Sequence, residues 1–144
     1  MSELENRITP EAAPDLAQRF VTFTKSIDGI ELDYSIASLE LVDRIIEKMR
    51  RDGQKVDDLF LVLLTAGCYV GEVCVRHHHL RWVRKKDSSY ANWPNDEMPI
   101  VIEYAKGKYT SPITKVMKRL ENGMEDYLPF YYQVLSKLIE EEAP

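Results

Sequence analysis

LFLVLLTAGCYVGEVCV, residues 59–75, is the stretch on which the fold turns. Leu59, Val62, Leu63, Ala66, Tyr69, Val70 and Val73 cover most of a helical circumference, as expected of a helix buried on nearly all sides. A membrane span needs about 20 apolar residues, whereas this run has seventeen and carries Glu72. It is therefore expected to be the central helix of a packed protein. Gly67 and Gly71 lie four apart on one face of it. Each costs about 1 kcal/mol relative to alanine inside a helix, so the bare strip is expected where another element, or a ligand, approaches the backbone closely.

Working outward from this helix, the flanking patterns predict an α+β protein. On the N-terminal side, Pro10 and Pro14 frame a helix whose Leu16, Phe20, Phe23 and Ile27 share one face, and Asp28-Gly29 ends it. IELDY (30–34) alternates apolar and acidic residues and reads as a first strand. Ser35 is a candidate cap for a helix with Leu39, Val42, Ile46 and Met49 on its apolar face, ending at Gly53. On the C-terminal side, LRWV (80–83) and IVIEYA (100–105) read as paired strands. The Lys106-Gly107-Lys108 turn sends Tyr109-Thr110 back as a short last strand. Ser111-Pro112 is a helix start, Asn122-Gly123 its end, and a final helix runs from about Glu125 to Glu141. The order predicts a small antiparallel sheet of three to four strands packed against helices, around one central buried helix.

A chain of 144 residues fits one domain and buries roughly 68–70% of its unfolded surface. With 44% hydrophobic and 30% charged residues and no repeat or linker, residues 1–144 are expected to form a single domain. Residues 1–10 are read as a poorly ordered arm. No basic-then-apolar leader is seen, and Cys68 and Cys74, about 120° apart around a helix, cannot easily pair; both point to a reducing, cytoplasmic setting. The net charge is −5, yet Arg76 to Lys86 holds five cations and no acid, while Glu140–Glu142 close the chain. Such a basic run either draws an acidic partner or guards a strand edge against aggregation.

Glu72 is the most conspicuous candidate for chemistry, because a carboxylate in low dielectric must find a partner or take a proton. Arg76, one turn on and in the favourable order for an intrahelical pair, is the structural alternative to a catalytic role. Tyr69, His77, His78 and Trp82 would line a pocket beside Glu72, and Trp82 and Trp93 with the basic strand would form a protein-binding surface. Cys74, His77 and His78 are weak metal candidates. Sulfur and imidazole suit zinc, but a structural site wants four ligands and no second Cys/His cluster exists. No phosphate loop, nucleophile elbow or paired carboxylates are present, so no cofactor is expected, and an acidic chain with one short basic run argues against nucleic acid. Two tryptophans and eight tyrosines would serve either a core or the face of a homodimer.

LDYSIASLELVDRII (32–46), GCYVGEV (67–73), LRWV and SPITKVMKRLENGMEDYLPFYYQVL (111–135) together resemble a family of small bacterial proteins. That family is marked by a Leu-Asp-Tyr/Phe-Ser opening, a Gly-x-Tyr-x-Gly-Glu-Val core and a downstream tryptophan. The resemblance spans about residues 29–138 and implies a stand-alone cytoplasmic domain without assigned chemistry. The three histidines fall outside the pattern, which weakens a metal role. By analogy with small acidic immunity partners, the expected function is a non-catalytic, protein-binding module of immunity or adaptor type. The alternative is a small enzyme or ligand binder using Glu72.

Overall fold

The computed structural model describes residues 6–88 and 98–142. A 3-10 turn, Pro10–Ala12, is capped by the Thr9 hydroxyl and leads into helix α1, Ala13–Asp28, which Gly29 closes at φ 66°. Helix α2 is Ser38–Arg51. The Ser35 hydroxyl accepts the Ser38 N–H at 3.1 Å, as its position predicts. A second 3-10 turn, Val56–Leu59, runs into the central helix α3, Phe60–His78. Strands β1 (Arg81–Arg84), β2 (Ile100–Ala105) and β3 (Lys108–Thr110) follow, then α4 (Pro112–Asn122) and α5 (Leu128–Glu142). The Ser111 hydroxyl caps α4, accepting the Thr114 N–H.

The three strands form one antiparallel sheet in the order β1-β2-β3, with Trp82 opposite Ile102 and Ile102 opposite Thr110. This α+β arrangement of a small sheet against helices is the one expected. Strand β1 lies at an edge of the sheet, and its Arg81 meets Glu103 of β2 at 2.9 Å.

Helix α3 is the pillar, buried from Leu63 to Cys74 apart from half-buried Thr65. With its lead-in turn, the apolar helix is long enough to cross a bilayer, but it is mostly enclosed by its own protein. The glycine strip explains the packing on it. A Cβ at Gly67 would stand 2.5 Å from the Cα of Ile113 in α4, and one at Gly71 would stand 2.2 Å from the Trp82 ring. Those two contacts set α4 and β1 directly against the α3 backbone, so the glycines serve close packing.

Two expectations are corrected. Residues 30–34 form no strand: Leu32 is buried and its neighbours are exposed, but Tyr34 turns into the left-handed region at φ 62°. Its backbone N–H and C=O are partnered by Tyr69 and His77 of α3 instead of a neighbouring strand. The buried face of α1 also differs. Ala13, Ala17, Phe20 and Thr24 face inward, the two alanines letting α1 approach α3, and Phe23 and Ile27 are left exposed. At the start of the described residues, Asn6 and Arg7 are exposed and Ile8 is buried in the core.

Candidate functional site

Helix α3, the 29–35 loop and β1 bring Glu72, Arg76, Tyr69 and Trp82 into one connected network. Glu72 is only 4% exposed, and both of its oxygens are taken. Oε1 accepts from Arg76 Nε at 3.2 Å, and Oε2 accepts from the Trp82 indole N–H at 2.9 Å. The intrahelical pair expected from the spacing is present, and the indole adds a second donor from another element. The Arg76 guanidinium then lies 3.7 Å from the centroid of the Tyr34 ring, in cation–π contact.

Tyr34 joins the network to the loop. Its N–H donates to the Tyr69 hydroxyl at 2.8 Å, its carbonyl accepts from His77 Nε2 at 2.9 Å, and its own hydroxyl reaches Gln18 at 3.1 Å. The rings of Tyr34 and Tyr69 lie 4.7 Å apart, and the Tyr69 hydroxyl shares a 2.7 Å hydrogen bond with Ser38 of α2. A bulky residue at positive φ is costly and persists only where its surroundings over-determine it. Here α1, through Gln18, and α3, through Tyr69, Arg76 and His77, hold it. Burial pushes the pKa of both phenols up, so both stay neutral hydrogen-bonding groups.

The remaining sequence candidates do not converge on Glu72. His77 is spent on the Tyr34 carbonyl, whereas His78 bonds Ser136 of α5 at 2.8 Å and lies against the Tyr132 ring. His79 ends α3 in the left-handed conformation at φ 56°. Cys68 and Cys74 are free and buried, and burial pushes each thiol up to about 12. Among the described residues, no group of three or more His, Cys, Asp or Glu side chains is placed to hold a metal ion. Trp82 is buried with its ring on Gly71 and so does not serve as the surface anchor expected of it. Trp93 lies outside the described residues.

A second buried polar cluster escaped the sequence reading. Arg119 of α4 is fully buried and grips Asp43 of α2 in bidentate fashion, Nε to Oδ1 at 2.8 Å and Nη2 to Oδ2 at 3.0 Å, while Nη1 reaches Glu47 at 2.9 Å. Asp43 also accepts the Leu128 N–H at 3.0 Å and so caps α5. Burial alone would lower the Arg119 pKa, but its hydrogen bonds to Asp43 and Glu47 outweigh this and raise it; Arg119 in turn holds the Glu47 carboxyl low. The signal was present in the chain. Asp43 sits beside Val42 and Ile46 on an apolar face, and Arg119 sits between Val116 and Leu120 on another.

Neither cluster leaves a buried polar side-chain atom without a partner among the described residues. Of the described cavities, one lies between α1 and α2, away from both clusters, whereas a shallow one is lined by Asp43, Glu47 and Arg119 of the second cluster together with Glu40, Arg44 and Tyr127. No protein-family model, curated protein or solved structure matches the chain.

Proposed function

We propose that the chain is a non-catalytic module that binds another protein, in the immunity or adaptor manner implied by the family resemblance, and that it works in the bacterial cytoplasm. The observation that carries the proposal is on α5. Phe130, Val134 and Leu138, spaced four apart along one line of the helix, are 59%, 41% and 38% exposed. An apolar ridge of this kind, flanked by the acidic Glu140–Glu142 end, fits a partner with an apolar cleft and a basic rim. The enzyme alternative draws little support from Glu72, whose two oxygens are already occupied.

Affinity capture from a lysate of the native cell, followed by direct titration of the captured protein, tests the reading. A specific partner should bind wild type and Glu72→Gln alike and fail to bind Phe130→Glu/Val134→Glu, whose altered positions are exposed and leave the core intact. The reading is wrong if the ridge variant binds as wild type does, or if Glu72→Gln abolishes turnover of a metabolite by the wild-type protein.

A further inference from the structure

The C-terminal halves of α1 and α2 diverge over the start of α3 and leave a groove of about 550 Å³. Phe23 and Ile27 form one wall, Ile45 and Met49 the other, and Leu59 and Val62 the floor. The wall on α1 is also a ridge, for Phe23 is 37% and Ile27 66% exposed. Four charged side chains surround it: Asp28, Asp52, Arg44 and Lys48. Arg44 pairs with Glu40 at 3.4 Å. Asp28, Asp52 and Lys48 are exposed and have no ion-pair partner among the described residues.

We propose that this face is where two copies of the chain meet about a two-fold axis. An isologous contact must be complementary to itself, so one patch has to carry both a ridge and a groove, and both signs of charge. This patch carries both pairs. Ile27 stands beside an apolar groove able to take the Ile27 of a second copy. Two acids and two cations balance around it, in a chain whose 24 acids outnumber its 19 Lys and Arg residues. Asp28 and Asp52 of one copy facing Lys48 and Arg44 of the other supply the partners that three of these groups lack among the described residues. A patch built to receive a different, basic or acidic, protein would be expected to carry one sign of charge.

Sedimentation equilibrium of the full chain tests this. Wild type should give a mass of twice 16.7 kDa that falls toward the monomer on dilution. Ile27→Asp, at an exposed position outside the core, should remain monomeric throughout. Lys48→Glu alone, and Asp28→Lys/Asp52→Lys alone, should each lose at least tenfold in association, and an equimolar mixture of the two should recover it as a heterodimer. Wild type that stays at 16.7 kDa up to about 1 mM, the weak limit of specific association, overturns the proposal. So does a wild-type dimer that Ile27→Asp leaves unchanged, or a mixture of the charge variants that stays monomeric.

Discussion

Replacing Arg119 by methionine tests whether the buried ion cluster holds α2, α4 and α5 together. The substitution keeps an unbranched apolar stem and removes the guanidinium with its three hydrogen bonds to carboxylates. Glu47 is partly exposed and retains Arg50 and Arg51 at 3.3 and 2.8 Å. Asp43 has no such reserve, because its side chain is 4% exposed and among the described residues keeps only the Leu128 N–H. Breaking a buried pair from one side costs about 3–5 kcal/mol, largely for the charge left behind. At about 2–4 °C per kcal/mol for a chain of this size, Tm should fall by roughly 10 °C. With a urea m-value of about 2 kcal/mol/M, the midpoint should fall by about 2 M. Arg119→Met/Asp43→Leu removes both charges, and apolar replacement of a whole buried pair is often neutral. The α5 cap is still lost, so the double variant should recover to within about 1–2 kcal/mol of wild type. Urea and thermal unfolding followed by circular dichroism read all three proteins. A single variant that loses less than about 1 kcal/mol, or a double variant as unstable as the single, would refute the assignment of the cost to an unpaired Asp43.

Gly67→Ala should destabilise by about 1–3 kcal/mol or more, since its Cβ would meet the Ile113 backbone at 2.5 Å and backbone cannot swing aside as a side-chain end can; urea unfolding checks it, and a neutral result would mean α4 can shift freely. Both thiols, buried and pushed up to about 12, should resist a chromogenic disulfide reagent at about pH 8 in the native protein and react fully in urea. Burial first, then the charges of His77 and His79, lower the His78 pKa below 6.5. The native state thus prefers the neutral ring, and stability held above pH 6.5 should drain away as pH falls through and below that value. His78→Gln should flatten this part of the Tm-against-pH curve, and an unchanged slope would assign the effect to other groups.

How much of this was legible beforehand depended on whether a residue's partner lay nearby in the chain. Helix α3 was readable because an apolar run that covers the whole circumference has only one good place in a small protein, its centre. Glu72 with Arg76 and Ser111 with Thr114 were readable because four- and three-residue spacings fix those contacts locally. The 30–34 segment misled because alternate burial belongs to any extended chain laid across a helix. What makes a strand is the partner for its backbone, and here Tyr69 and His77 supply it from 35 and 43 residues away. The face of α1 misled for a related reason. Leu16, Phe20, Phe23 and Ile27 satisfied helical spacing, yet Ala13 and Ala17 allow the closer approach to α3, and the larger residues at the far end of the helix stayed outside. Trp82 lies inside rather than on the surface expected around the basic strand, because the bare Gly71 leaves room for something flat and the indole fills it.

Glu72 and Asp43 make the same point from opposite sides. Each is a buried carboxylate beside apolar residues on a helix, and the sequence singled out the first while passing over the second, because Glu72 has a cation one turn away and nothing else polar nearby, whereas Asp43 shares its face with Glu40 and Glu47. Their structural standing is nonetheless the same: one is closed by Arg76 and Trp82, the other by Arg119 and the start of α5. A buried acid becomes available for chemistry only when an oxygen is left over after its neighbours have donated. In both clusters here the donors come from other turns or other helices, and each oxygen has at least one. The ionisable groups of this core are therefore better understood as the ties that fix α2, α3, α4 and β1 in register.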